Sequence, residues 1–160
     1  MNNLNICIAG LGNVGSAVVN LIEKNSQYIK NKSNLTINII GLSAKNRDKE
    51  RNFNVRDYKW IDNPIDLLNI NDSKPDILIE LIGYEKGVSY ELVKTALSQK
   101  IHVVTGNKAM LAMYGKELFK IAEINQVSLL FEAAVAGGIP IIKTLKNNIF
   151  LNKVKKISGI

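Results

Sequence analysis

Leu4-Asn-Ile-Cys-Ile-Ala9 leads directly into Gly10-Leu-Gly-Asn-Val-Gly15, and this junction decides the predicted fold. The apolar run has the length of a buried strand, and a helical pattern of apolar residues follows the last glycine. Gly10 permits a tight turn out of the strand, Gly12 lets a phosphate approach the backbone, and Gly15 lets the new helix pack closely. Because a helix N-terminus offers free N–H groups to anions, we expect this segment to hold a dinucleotide pyrophosphate.

Strand-like and helix-like segments alternate along the rest of the chain. Strands are predicted near 4–9, 36–42, 77–82, 101–104 and 127–131, and helices at 13–28, after Pro64, at 88–99 and from the fourth strand to about 125. The polar stretch 44–63 lacks periodicity and is predicted to be an exposed excursion that Trp60 anchors. This order predicts one α/β domain over residues 1–160, a doubly wound parallel sheet of the Rossmann type that binds dinucleotides.

The inner face of the predicted first helix is an apolar stripe at helical spacing, formed by Val14, Ala17, Val18, Leu21 and Ile22. The last residues, 153–160, resemble a strand. They form either an edge strand or the end of a piece cut from a longer protein, and we favour the cut piece.

Composition narrows the function classes. The 160 residues are 46% hydrophobic and carry a net charge of +7, and Cys7 is the only cysteine, so no internal disulfide can form. The scattered basic residues lack interleaved aromatic residues, which disfavours nucleic-acid binding. A basic surface could also attract an anionic cofactor, but solvated surface lysines are the favoured interpretation. Neither a signal-peptide pattern nor an apolar run of roughly 18 residues is present, so we expect a cytoplasmic protein without a membrane partner.

The end of the predicted second strand bears on the choice of nucleotide. NAD-binding domains usually place an acidic residue there to bind the ribose hydroxyls. Here the segment reads Gly41-Leu-Ser-Ala-Lys-Asn-Arg47, without an acid. Ser43, Lys45 and Arg47 are therefore candidates to bind a 2′-phosphate, although they could form only a basic surface loop. We favour NADP over NAD.

Three further segments place polar or small residues where strands end. Glu80 lies within an apolar strand that ends at Gly83, and a structural hydrogen bond is the favoured explanation for its burial. Thr105 and Asn107 can cap the next helix, and Lys108 could stabilise negative charge on a carbonyl oxygen, or could simply be solvated.

The third segment is Phe131-Glu-Ala-Ala-Val-Ala-Gly-Gly-Ile-Pro140. Gly137 and Gly138 allow a flat ligand or another backbone to approach, and Pro140 suits a first helical turn. Glu132 could bind a cation or pair with a local donor. His102 is interpreted as a sheet residue and Cys7 as a small buried hydrophobe.

These motifs together resemble the homoserine dehydrogenase family over essentially all of the chain. The resemblance rests on Gly10–Gly15, Glu80-Leu-Ile-Gly83, Val103-Val-Thr-Gly-Asn-Lys-Ala109 and Phe131-Glu-Ala-Ala-Val-Ala-Gly-Gly-Ile-Pro-Ile141. It implies interconversion of aspartate 4-semialdehyde and homoserine with NAD or NADP, in threonine and methionine biosynthesis.

The resemblance also implies residue roles. It places the pyrophosphate on the backbone of Leu11, Gly12, Asn13 and Val14. It places the nicotinamide near Gly83, Thr105, Gly137 and Gly138, with Lys108 between the nicotinamide and the substrate as the catalytic residue. It implies a monovalent-cation site made by Glu132 with the carbonyls of Val135, Gly137 and Ile139.

The chain departs from the family in two loops and in length. Tyr84 stands where the family usually has glycine, and Gly106 where it usually has alanine. The family also continues past Ile160 into a substrate and dimerisation region, so we expect little or no turnover from this piece alone and a homo-oligomer at full length. Two alternatives stay open: another NAD(P)-dependent semialdehyde or imine reductase, and a free-standing nucleotide-sensing or nucleic-acid-binding module.

Overall fold

The computed structural model describes residues 2–70, 74–84, 86–147 and 153–158. The strands are β1 (Asn2–Ala9), β2 (Leu35–Ser43), β3 (Ile77–Glu80), β4 (His102–Thr105) and β5 (Leu129–Leu130). The α-helices are α1 (Asn13–Lys24), α2 (Ser26–Ser33), α3 (Val88–Ser98), α4 (Lys108–Ile124) and α5 (Ile141–Asn147). Short 3-10 helices span Val55–Asp57, Pro64–Leu68, Glu132–Ala134 and Ala136–Gly138.

The five strands form one parallel sheet in the order β2-β1-β3-β4-β5. The chain therefore adds β2 on one side of β1 and then adds β3, β4 and β5 in turn on the other side. Ligands bind in such sheets at the carboxyl ends of the strands, where the strand order reverses. Here the reversal lies between β1 and β3. The predicted doubly wound, Rossmann-type α/β fold is confirmed.

Each face of the sheet carries its own apolar core. On one face Cys7, Leu78 and Val103 pack beneath α3, α4 and the 3-10 helix Pro64–Leu68. On the other face Ile6, Ile8 and Leu42 pack against Val19 of α1, with Phe53, Tyr58 and Trp60 closing over them. The second half of β1, Ile6–Ala9, is buried on both faces, which explains why it is a continuous hydrophobic run.

The first helix ends earlier than predicted. It stops at Lys24, and the C-cap residue Asn25 adds a side-chain hydrogen bond from its Nδ2 to the Leu21 carbonyl at 2.8 Å. A separate helix, α2, then begins at Ser26, so the prediction of one helix to residue 28 is wrong.

The predicted inner face of α1 is also partly wrong. The structure buries Gly15 and Val19, and Val14 and Leu21 are 61% and 64% exposed. Apolar side chains surround most of this helix, so spacing alone did not fix which side faces the sheet. The approach of Gly15 to the end of β1 decides the rotation of the helix.

A few contacts hold the loop that follows β2 in place. Trp60 forms an isolated parallel bridge with Leu42 and packs on the core, as predicted. Asn63 caps the 3-10 helix that begins at Pro64, since its side chain accepts the Ile65 N–H at 3.2 Å. The loop is thus held at both ends against the sheet.

The chain beyond α5 departs from prediction. Residues 153–158 have no regular secondary structure, so the strand predicted for 153–160 is wrong over these positions, and residues 159 and 160 lie outside the described part. None of the described helices combines the length and the apolar character needed to cross a bilayer.

Candidate functional site

The turn out of β1 can be made only with glycine at two positions. Gly10 has a φ of +96°, and a side chain there would overlap the backbone of Leu81. A side chain on Gly15 would overlap the Gly10 carbonyl oxygen. The corner therefore brings the first turn of α1 directly against the end of β1. This confirms the close packing that the glycine spacing predicts.

The N-terminus of α1 is open to ligands. Its N-cap residue, Gly12, provides no side-chain hydrogen bond, whereas Asn107 caps α4 by accepting the Met110 N–H at 3.1 Å. A side chain on Gly12 would meet nothing within 4 Å, and Gly12, Asn13 and Val14 are exposed. The first N–H groups of a helix have no partner within the helix, so this corner can bind an anion.

The predicted residues at the end of β2 occupy two environments. Ser43 is 2% exposed, and its carbonyl accepts the Gly10 N–H at 2.8 Å, which ties β2 to the glycine corner. Lys45 and Arg47 lie beyond the strand and are exposed. The two cations are free to meet a solvent-borne phosphate, while Ser43 supports the corner through its backbone.

Arg51 reaches the same corner, and sequence reasoning missed it. Its Nε donates to the buried Leu11 carbonyl at 3.3 Å, and its other nitrogens donate to the carbonyls of Asn46, Arg47 and Lys49. The guanidinium also lies 5.6 Å from the centroid of Trp60. Arg51 therefore joins the loop after β2 to the glycine corner. No local sequence pattern distinguishes it from the neighbouring basic residues.

A cleft of about 360 Å³ opens along the carboxyl ends of β3 and β4. It brings together three predicted site residues, Gly83, Lys108 and Gly137. The remaining lining residues are small or polar: Gly106, Asn107, Ala109, Ala133, Ala134 and Ala136. Because most of these side chains are methyl groups or absent, a flat ring can enter, and the exposed Lys108 ammonium can stabilise negative charge there.

A buried carboxylate supports this cleft. Glu80 is fully buried, and it accepts hydrogen bonds from the Ile82 N–H at 2.9 Å and from the hydroxyls of Ser89 and Thr105, each at 2.6 Å. The expectation of a structural hydrogen bond at Glu80 is confirmed. Thr105 is fully buried as well, so its side chain lies behind the cleft wall.

Glu132 already has partners in this structure. Its carboxylate accepts the backbone N–H groups of Ile142 at 3.1 Å and Lys143 at 3.2 Å, in the first turn of α5. Among the described residues, no three His, Cys, Asp or Glu side chains cluster as a metal site. The cation site built from Glu132 and the carbonyls of Val135, Gly137 and Ile139 stays a prediction.

Three other residues singled out in the sequence have clear environments. His102 is exposed at the start of β4, and its Nδ1 accepts the Ser128 N–H at 3.0 Å. Cys7 is buried, which raises its thiol pKa to about 12. The side chain of Tyr84 is 67% exposed, while its carbonyl accepts a 2.6 Å hydrogen bond from Asn107. None of the three is a candidate nucleophile or base.

Comparison with known proteins agrees with this geometry. The family model described as "Homoserine dehydrogenase, NAD binding domain" matches residues 10–132. The homoserine dehydrogenase of Neisseria gonorrhoeae is 36% identical over 160 residues, which are 100% of this chain and 36% of that protein. The chain thus spans about a third of the length of that relative.

Two solved structures extend the comparison. A homoserine dehydrogenase from Thiobacillus denitrificans superimposes with a TM-score of 0.81 at 35% identity, covering 95% of this chain and 34% of that one. A hyperthermophilic archaeal homoserine dehydrogenase in complex with NADPH superimposes with a TM-score of 0.71 at 27% identity, covering 92% of this chain and 50% of that one.

Proposed function

We propose that a dinucleotide lies along the carboxyl edge of the sheet, because this chain belongs to the homoserine dehydrogenase family and forms its NAD-binding domain. The pyrophosphate would bind at Gly12, Asn13 and Val14, and the nicotinamide in the cleft beside Gly83. The observation that carries this proposal is the uncapped, exposed start of α1, held open by Gly10 and Gly15.

The reaction we propose is that of the whole family, in the protein that carries this domain. The bound cofactor would supply or accept the hydride in the interconversion of aspartate 4-semialdehyde and homoserine. Lys108 is exposed at the cleft and is the proposed catalytic residue, because its ammonium group can stabilise negative charge on the substrate oxygen. The small residues Ala134 and Gly137, which line the same cleft, would leave room for substrate and ring together.

NADP is the proposed cofactor, in preference to NAD. Lys45 and Arg47 are exposed just beyond β2, where they can meet a 2′-phosphate, and the stretch from Gly41 to Arg47 carries no acid to bind a free ribose hydroxyl. The archaeal relative in complex with NADPH supports this choice.

Four further assignments complete the proposal. We place the activity in threonine and methionine biosynthesis and in the cytoplasm, which the single buried thiol supports. We expect a homo-oligomer when full length. A monovalent cation is proposed at the turn between β5 and α5, where Glu132, Val135, Gly137 and Ile139 lie within eight residues.

Titration of NADPH and NADH into this 160-residue chain by calorimetry tests the proposal. We expect both to bind, NADPH about tenfold more tightly because a 2′-phosphate contact is worth roughly one charge-assisted hydrogen bond. A parallel gel shift with duplex DNA serves as the control. Tight DNA binding with no heat from either dinucleotide would contradict the proposal, and equal affinities would contradict only the NADP preference.

A further inference from the structure

The carboxylate of Glu80 is shared among three structural elements. Its Oε1 accepts from the Ile82 N–H, just beyond β3, and from the Ser89 hydroxyl in α3, and its Oε2 accepts from the Thr105 hydroxyl at the end of β4. These bonds satisfy both carboxylate oxygens of a side chain with no solvent exposure. Burying a carboxylate this deeply is unfavourable without such partners, so the arrangement calls for an explanation.

The hydrogen bonds to Glu80 decide which atoms donate and which accept in a longer hydrogen-bond network. A hydroxyl has one proton, and Ser89 and Thr105 each point theirs at Glu80, so their oxygens are left to accept. Both accept from Asn107: its side-chain Nδ2 donates to Ser89 Oγ at 2.9 Å, and its backbone N–H donates to Thr105 Oγ1 at 3.0 Å. Glu80 thereby leaves the oxygens of Ser89 and Thr105 as acceptors for the two Asn107 donors.

Asn107 connects this network to both walls of the cleft. Its second Nδ2 hydrogen donates to the Tyr84 carbonyl at 2.6 Å, which holds the loop that follows Gly83. Its Oδ1 caps α4 at Met110, and α4 begins at Lys108. Asn107 itself lines the cleft. One side chain thus sets the spacing between the Gly83 wall and the Lys108 wall.

We propose that Glu80 is a positioning residue for the nicotinamide end of the cofactor site, acting through Ser89, Thr105 and Asn107. This inference rests on the proposed function, since it concerns the same cleft. Glu80 touches no ligand itself. Glu80 suits this role because a group that accepts at both of its oxygens can receive hydrogen bonds from two hydroxyls and one N–H group.

Glu80→Gln is the informative change, because it keeps the shape and replaces one acceptor oxygen by an amide donor. One of the two hydroxyls must then turn its proton away from residue 80, which changes the hydrogen bonding around its oxygen, where Asn107 donates. Gly12, where the pyrophosphate is proposed to bind, makes none of the side-chain bonds of this network, so we expect the pyrophosphate to be less affected than the nicotinamide. We therefore expect the larger effect on ligands that carry a nicotinamide ring.

Calorimetric titration with two ligands separates positioning from general destabilisation. The ligands are NADPH and 2′-phospho-ADP-ribose, which lacks the nicotinamide. We expect Glu80→Gln to weaken NADPH about tenfold, as for a lost hydrogen bond to a charged group, and the truncated ligand by less than about twofold. Leu78→Ala is the matched control: it lies two residues earlier on the same buried face of β3, and should lower the melting temperature without this selectivity.

Ser89 provides a second test if Glu80→Gln does not fold. Ser89→Ala leaves Glu80 paired with Thr105 and Ile82, and should weaken NADPH selectively, whereas Ser89→Thr keeps the hydroxyl and should restore the affinity. Equal losses for both ligands, or no loss in any variant that folds, would overturn the positioning role. Failure of the unmodified chain to bind either ligand would instead refute the proposed function, and the positioning role with it.

Discussion

The carbonyl oxygen of Gly10 occupies the space that a side chain on Gly15 would need. We therefore expect Gly15→Ala to push α1 away from β1 and to lower the free energy of unfolding by about 1–3 kcal/mol or more, as for an overpacked core. Urea unfolding followed by circular dichroism measures this. An unchanged midpoint would show that the corner can relax.

Gly12→Ala is the counterpart of that change, and separates folding from binding at the same corner. A methyl group on Gly12 meets nothing within 4 Å, and its φ of −76° suits alanine, so the urea midpoint should stay nearly constant. The methyl group would stand where the pyrophosphate approaches, and NADPH affinity should fall about tenfold or more by calorimetry. Undiminished affinity would place the pyrophosphate elsewhere.

Removing the cations beyond β2 should change the choice of nucleotide. Lys45→Ala and Arg47→Ala should each weaken the binding of NADPH several-fold and leave the affinity for NADH unchanged. The reason is that each cation contributes about 1 kcal/mol or more to the binding of a phosphate. Lys120→Ala, an exposed lysine far along α4, controls for net charge. If the affinities for NADPH and NADH fall in parallel, the 2′-phosphate binds other groups.

Arg51 should control the order of the loop after β2. Its guanidinium holds four backbone carbonyls and lies over Trp60, the only tryptophan in the chain. Arg51→Ala should shift Trp60 fluorescence to the red as the ring gains water, and Arg51→Lys should not restore it, because an ammonium lacks the planar fork of donors. Full recovery by lysine would show that charge alone suffices.

The buried thiol predicts a loss of stability in alkali. Burial raises the Cys7 pKa from 9.0 to about 12, so above pH 9 the unfolded chain loses a proton that the folded chain keeps. Stability then falls as pH rises from 9, by at most about 1.4 kcal/mol per pH unit. Urea midpoints between pH 8 and 10 should fall more steeply for the unmodified chain than for Cys7→Ala. Parallel curves would mean that the thiol ionises equally in both states.

Glu132 allows the proposed cation to be tested. Melting temperatures in potassium chloride and in choline chloride at equal ionic strength should differ if a monovalent ion binds, and Glu132→Gln should remove the difference. The same substitution weakens the capping of α5 by about 0.5–2 kcal/mol, since Ile142 and Lys143 lose a charged acceptor. Identical melting in both salts would assign Glu132 to capping alone.

The fold was largely predictable because its signals are local. The order of strands and helices, the glycine corner and the start of the short helix at Pro64 each depend on residues close together in sequence. The rotation of α1 was not predictable from spacing, since Val14 and Leu21 are as apolar as Val19, and the decisive contact is Gly15 against Gly10. The break at Asn25 depends on a side-chain bond that many asparagines do not make.

The sequence predicted residues that lie at one cleft, but not the hydrogen-bond network behind them, and the functional roles of these residues stay predictions. Gly83, Lys108 and Gly137 were each identified at a strand end, and they line one cleft. The partners of Glu80 lie 9 and 25 residues away, on separate elements, so no motif links Ser89 or Thr105 to it. Arg51 was missed because its acceptors are backbone carbonyls, which leave no mark on composition.

The central place of β1 has a consequence for folding during synthesis. This strand is synthesised before both of its neighbours in the sheet, because Ile6–Ala9 pair with Ile77–Glu80 as well as with β2. Until residue 80 has emerged, one edge of β1 has no neighbour, and an unpaired apolar edge is a site for aggregation. The nascent chain is thus most in need of a chaperone before its third strand is made.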